Sequence, residues 1–118
     1  MLIVTTPEVP GYQIRMVFGP VMGRSVYVST GIASLTSNRA KAFQDLHHDA
    51  ARYGANAVVS IRFDAPSDGL DWVVGTAVWV DPVSEDARAQ YAAMVAARRV
   101  PSQAPPAGTL PAYFGPPV

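Results

Sequence analysis

The stretch from Gly54 to Asp64, with the sequence GANAVVSIRFD, constrains the fold more than any other part of the chain. Glycine suits the position just after a helix C-terminus, because it adopts the left-handed conformation without strain. In the residues that follow, the odd positions 57, 59, 61 and 63 are all apolar. That alternation is typical of a strand with one buried face. The stretch therefore predicts a helix that ends at Gly54 and a strand over residues 57–63.

Further elements are predicted before this stretch. Thr36 or Ser37 suits the N-cap of the helix that ends at Gly54. Residues 12–18 alternate in the manner of a half-buried strand, which Gly19 and Pro20 are expected to interrupt and residues 26–28 to resume. Residues 3–5 form a short strand that can pair with the others. The order of elements indicates an α+β fold.

Residues 72–80 predict a second strong strand, and both of its faces are largely apolar. A single helix covers only one face of a sheet, so the other face needs the C-terminal helix or another subunit. We assign the odd-numbered residues Val73, Ala77 and Trp79 to an oligomer interface. Trp72 lies on the opposite face, and the pattern favours core and interface roles for the two tryptophans over the stacking of a flat ligand.

The C-terminal part of the chain predicts a helix and then a tail. Asp81 suits the N-cap and Pro82 the first turn of this helix, which runs to about residue 100. Residues 101–118 hold six of the eleven prolines and no charged side chain, so we expect them to be extended or disordered. The predicted organisation is thus an α+β domain over residues 1–82, a helix over 83–100 and a proline-rich tail over 101–118.

Several short motifs resemble those of the YbjQ-like family, small bacterial proteins described as heavy-metal-binding. Thr5-Thr6 followed by PGYQI at residues 10–14, GANAVV at 54–59, RFD at 62–64 and GTAV at 75–78 match its pattern in order. The resemblance implies a dodecin-like subunit, a two-layer structure with an antiparallel sheet and a helix on one face, and assembly into homopentamers, single or stacked. The family usually has a glutamate-rich helix before GANAVV, and this chain has no glutamate there.

Composition excludes several classes of protein. The nine basic and nine acidic side chains balance, and the arginines are spread from Arg15 to Arg99, so a nucleic-acid binder is not indicated. The absence of cysteine removes disulfides, thiolate metal sites and cysteine nucleophiles. The first residues lack a signal-peptide pattern, and no apolar run is long enough to span a membrane. We expect a cytoplasmic protein, and with no motif joining a nucleophile to a base we expect no enzyme.

Two places are candidates for binding. His47 and His48 are the only histidines and are weak candidates for a metal site. Adjacent helical residues point about 100° apart and cannot share one ion, although copies in a ring could converge on an axis. In the tail, Tyr113 and Phe114 lie in an extended proline-rich segment, which favours either docking to a partner or an inert end.

The sequence therefore predicts a non-enzymatic, ring-forming homo-oligomer whose C-terminal tail docks on a neighbour or partner. No cofactor is expected apart from a possible metal ion. The alternative is a protein that binds a metal or small ligand between its subunits.

Overall fold

The computed structural model describes residues 1–25, 32–64 and 72–106, with the side chains of residues 32–38 and 64 left aside. Its elements in chain order are β1 (Leu2–Ile3), β2 (Tyr12–Arg24), α1 (Ile32–Ala51), β3 (Ala57–Asp64), β4 (Trp72–Pro82) and α2 (Glu85–Ala96). The described strands form one sheet in the order β1-β3-β4-β2. The α+β class is confirmed, and α1 ends just before Gly54, whose φ is 78°.

The sheet is mixed, so the expectation of a wholly antiparallel sheet was wrong. Strand β4 pairs antiparallel with both β2 and β3, but β1 pairs parallel with β3. Strands β1 and β2 follow each other in sequence yet lie at opposite edges of the sheet, so no hairpin joins them. The chain between them crosses the sheet instead.

Strand β2 is one continuous strand of 13 residues, where an interruption at Gly19 and Pro20 was predicted. Irregularities in its pairing with β4 fall between Ile14 and Met16 and between Val17 and Gly19. Bulges of this kind let a strand bend without ending. Strand β2 is also an edge strand, where a proline costs no hydrogen bond with a neighbour.

Helix α1 packs on one face of the sheet through small and apolar residues. Ala42, Leu46 and Ala50 are fully buried along one stripe of the helix. The helix approaches β2 most closely at Gly23, where an added Cβ would lie 2.9 Å from the Cα of Leu46. His47, directly after Leu46, is exposed. The larger core cluster of the described structure is therefore the layer between α1 and the sheet.

This layer contains the three residues that we assigned to an oligomer interface. Val73, Ala77 and Trp79 are buried in the same cluster as Leu46, and the indole nitrogen of Trp79 donates to Asp81 Oδ1 at 2.9 Å. A single chain thus buries them without a second subunit, which removes the reason for the assignment. The even-numbered residues of β4 form the face that points away from α1.

The N-terminal segment covers about half of that second face. Val9 packs there with Val59, Val78 and Val80, and Val4 contacts the same cluster. The backbone of the segment also bonds to β3, where Ser60 donates to the Thr6 carbonyl at 2.9 Å. The remaining half carries four apolar residues that stay partly or fully exposed, which we call the open patch: Val17, Pro20, Met22 and Val74.

Helix α2 begins three residues later than predicted, because β4 continues through Pro82. Its N-cap is Ser84, whose hydroxyl accepts from the Ala87 amide at 3.1 Å. Tyr91 anchors the helix, since its hydroxyl accepts from the buried Asn56 side chain and donates to the Pro101 carbonyl at 2.5 Å.

Residues 101–106 fold back onto the domain, where Ala104 contacts the core and Pro105 covers Gly54. Tyr113 and Phe114 lie outside the described residues. Among the helices that the structure describes, neither is long and apolar enough to cross a membrane.

Candidate functional site

The C-terminal half of α1 separates two grooves, and its two histidines contribute one to each. The imidazole rings of His47 and His48 lie 6.1 Å apart between centroids. The rings are nearly parallel, with 19° between their planes, although each residue lines a different groove.

The first groove lies between α1 and the end of α2 and has a volume of about 420 Å³. We call it the arginine groove, and its lining consists of Met1, His47, Ala51, Ala55, Val95 and residues 98–102. The Met1 amino group donates to the carbonyl oxygen of Arg99 at 2.7 Å, which ties the start of the chain to the end of α2. Ala51 and Val95 supply apolar surface.

The lining of the arginine groove contains four basic groups and no carboxylate. These groups are the Met1 amino group, His47, Arg98 and Arg99. Burial and the Arg99 charge lower the pKa of the Met1 amino group. Burial, the Met1 amino group and His48 lower the pKa of His47. Among the described residues, no salt bridge pairs Arg98 or Arg99 with an acid. Arg98 and Arg99 therefore carry the positive charge of the groove, and no carboxylate in its lining balances them.

The backbone at Arg98 is unusual. The amides of Arg98 and Arg99 donate to the carbonyls of Val95 and Met94, at 3.0 and 2.9 Å. This pair of bonds is the Schellman motif that ends many helices, and it requires a left-handed residue where Arg98 stands. Arg98 has φ of 57°, a conformation that glycine adopts at lower cost than arginine.

The second groove, the edge groove, follows the outer edge of β2. It has a volume of about 440 Å³ and is lined by Met22, Arg24, Asp45, His48, Asp49, Arg52 and Trp72. The guanidinium of Arg24 lies 5.7 Å from the centre of the Trp72 ring, a cation–π contact. Acidic and basic side chains alternate along this groove.

The two carboxylates of the edge groove already have structural partners. Asp49 accepts from the Met22 amide and Asp45 from the Arg24 amide, each at 3.0 Å. Pro20, two residues before Met22 on the same strand, has no amide hydrogen to satisfy. Helix α1 thus caps part of the free edge of β2, a common protection against pairing with another strand.

These arrangements do not provide a metal site within one chain. In the described ranges, no three side chains of histidine, aspartate or glutamate gather closely enough to hold an ion. His47 lies among cations, and His48 lies beside carboxylates that bind backbone amides and beside Arg24 and Arg52. Metal ligands need to be neutral or negative and available, so this environment does not fit a cation.

Sequence reasoning did not find the arginine groove or the open patch. The pair Arg98-Arg99 was visible in the sequence, but its proximity to His47 and Met1 depends on the docking of α2. The one local signal was arginine at a helix end where glycine is usual. The exposure of Val17 and Met22 depends on how far the N-terminal segment extends over the sheet.

Comparisons with known proteins agree with the resemblance in the sequence. A family model described as "Putative heavy-metal-binding" matches residues 32–81. A UPF0145 protein from Mycobacteroides abscessus is 33% identical, in an alignment that covers 70% of this chain and 99% of that relative. UPF0145 proteins from Acidothermus cellulolyticus and Lactococcus lactis subsp. cremoris are 35% and 34% identical, with 84% and 97% of their lengths covered. The chain therefore belongs to the YbjQ-like family of UPF0145 proteins.

Proposed function

We propose that this protein is a non-enzymatic, homo-oligomeric assembly protein of the bacterial cytoplasm, whose subunits meet through the open patch. The observation that carries the proposal is the half-covered second face of the sheet. Val17 is 57% exposed and Met22 is 45% exposed, although both lie in a strand whose other face is core. Apolar residues grouped in this way favour contact with another surface.

A second copy of this chain is the proposed occupant of the open patch. The resemblance to the YbjQ-like family implies rings, commonly pentamers. A flat apolar surface on a second subunit would be enough to cover the open patch. The capped edge of β2 opposes assembly by strand addition near Met22 and Arg24. The subunits are therefore expected to meet through the open patch on the face of the sheet. They are not expected to pair strands at this edge of β2.

The experiment compares two valine variants by native mass spectrometry and sedimentation equilibrium. Val17→Asp places a charge in the open patch, whereas Val83→Asp places one on a valine that is 48% exposed and outside it. We expect the wild type and Val83→Asp to form multiples of the 12.5 kDa chain and Val17→Asp to form smaller species. Circular dichroism of both variants shows whether they are folded.

A monomeric wild type at tens of micromolar protein would refute the assembly. An oligomer that folded Val17→Asp leaves intact would refute the open patch as its interface. The first outcome tests whether the protein assembles, and the second tests whether the open patch is the interface.

The C-terminal tail has a proposed role in the same assembly. Several copies of Tyr113 and Phe114 in one oligomer would bind a common partner or neighbour with added avidity. This part of the proposal rests on the sequence of residues 107–118. Deletion of those residues is expected to leave the oligomer intact and to abolish partner capture, and a partner that binds the shortened protein equally well would contradict it.

A metal or small ligand between subunits is the alternative function. Its support is the family description, since the described residues of one chain do not form a metal site. Elemental analysis of protein purified without chelators tests it directly. A stoichiometric transition metal that leaves upon His48→Gln substitution would favour this alternative.

A further inference from the structure

Arg98 occupies a backbone position that favours glycine. Its location in the lining of the arginine groove suggests why this chain has arginine there. The Schellman bonds after α2 place Arg98 at φ of 57° and Arg99 directly after it. The second of these positions often holds an apolar residue that packs back on the helix. This chain has arginine at both, and both residues line the arginine groove. A local preference that is broken without a gain in packing is a signal of function.

The arginine groove also holds His47 and the Met1 amino group, which add nitrogen donors but less charge, because burial lowers the pKa of each. No carboxylate lines the groove. The Met1 amino group already donates to the Arg99 carbonyl, so the two arginines carry the charge of the groove. No acidic group among the described residues pairs with Arg98 or Arg99. An anionic ligand would provide the missing acceptor.

We propose that the arginine groove binds a small oxyanion, the phosphoryl or carboxylate group of a ligand. Adjacent guanidinium groups suit this role, because each can present two parallel N–H donors to an oxyanion. The apolar surface of Ala51 and Val95 accommodates an apolar part of the same molecule. The volume of about 420 Å³ is that of a site for a small metabolite.

This inference is independent of the assembly proposed above. None of the residues that line the arginine groove belongs to the open patch. An oligomer could form without anion binding, and a monomer could bind an anion. The test therefore uses the full-length chain in whatever oligomeric state it adopts.

Isothermal titration calorimetry distinguishes a phosphoryl ligand from a carboxylate ligand. The protein is titrated with inorganic phosphate and with acetate, at an ionic strength matched by sodium chloride. Saturable binding of phosphate alone would identify a phosphoryl ligand, and saturable binding of both a general oxyanion site. The NMR signals of the His47 ring are expected to shift during the same titration, which places the anion in the groove. Responses no larger than those to chloride would overturn the proposal.

The substitution Arg98→Gly distinguishes a role in anion binding from a role in stability, because it is expected to weaken binding and to stabilise the fold. Glycine at this cap is expected to raise Tm by a few degrees, while loss of the guanidinium weakens anion binding by about tenfold or more. Arg88→Gln, on an exposed arginine of α2 outside the groove, serves as the control and should leave binding unchanged. A variant Arg98→Gly that binds as tightly as the wild type would overturn the assignment, as would equal weakening by Arg88→Gln.

Discussion

The side chain of Asn56 pairs with the backbone of Val80 in both directions. Its Nδ2 donates to the Val80 carbonyl and its Oδ1 accepts from the Val80 amide, both at 2.8 Å. The amide group thus acts as a short piece of backbone that extends the pairing of β4. Asn56 is fully buried and also donates to Tyr91, so one side chain, directly before β3, bonds to both β4 and α2.

Asn56→Ala is expected to lower the free energy of unfolding by about 2–4 kcal/mol, because it leaves the buried amide and carbonyl of Val80 without partners. Urea denaturation measures the loss. Gln13→Ala removes an amide group from an exposed position of β2 and should change stability by less than about 0.5 kcal/mol. Equal effects of the two substitutions would contradict the structural role of Asn56.

Alanine at Gly23 should be more damaging than alanine at Gly75. A Cβ at Gly23 would collide with backbone atoms of α1, at the Ala42 carbonyl and the Leu46 amide. A Cβ at Gly75 would meet chiefly side chains, with Val58 Cγ1 at 2.6 Å and Ile61 Cγ2 at 2.8 Å. The branched side chains of Val58 and Ile61 can shift only at some cost, but a clash with the backbone of a packed helix displaces the whole helix.

We expect losses of about 3 kcal/mol or more for Gly23→Ala and about 1–3 kcal/mol for Gly75→Ala. Thermal unfolding of the two variants side by side gives the order. The reverse order would mean that α1 does not approach β2 as closely as described.

Removal of the carboxylates that cap β2 should expose its edge. The double variant Asp45→Ala, Asp49→Ala frees the amides of Met22 and Arg24, and we expect a loss of about 1 kcal/mol because the bonds lie near solvent. The freed edge should also promote association by strand pairing, seen as light scattering on prolonged incubation.

The control for this variant must match its charge. Glu8→Ala with Asp86→Ala also removes two negative charges, both from exposed positions away from β2. Scattering by this control to the same extent would show that net charge, and not the open edge, controls the association.

The stability of the fold should fall as pH is lowered through the range just below about 6.5, the usual pKa of histidine. The lowered pKa of His47 means that the unfolded chain binds a proton there more readily than the folded chain. Acid therefore favours unfolding in that range, by a small amount because the imidazole is exposed. Urea midpoints at pH 7.5 and 5.5 measure the change.

His47→Gln should reduce this pH dependence, and His48→Gln should retain it because His47 is still present. A pH dependence that survives His47→Gln undiminished would assign it to another group. Bound phosphate should raise the pKa of His47, so its addition is expected to reduce the same dependence.

The local pattern of residues determined where α1 ends and where β3 lies, but not where α1 and α2 begin. Gly54 ends α1, and the apolar alternation of residues 57–63 forms β3, because both depend only on near neighbours in the chain. The same is true of the apolar positions Ala87 and Tyr91 on α2, which are buried. Family motifs along these elements were sufficient to identify the family.

Tertiary structure decided which surfaces are covered. Alternation shows that Val73, Ala77 and Trp79 share a face, but a strand with two apolar faces does not say which one the helix covers. The close approach of α1 at Gly23 settles that choice, since only a residue without a side chain admits the helix backbone there. The arginine groove likewise forms only when α2 docks beside His47, because its charges are about 50 residues apart along the chain and are brought together by packing alone.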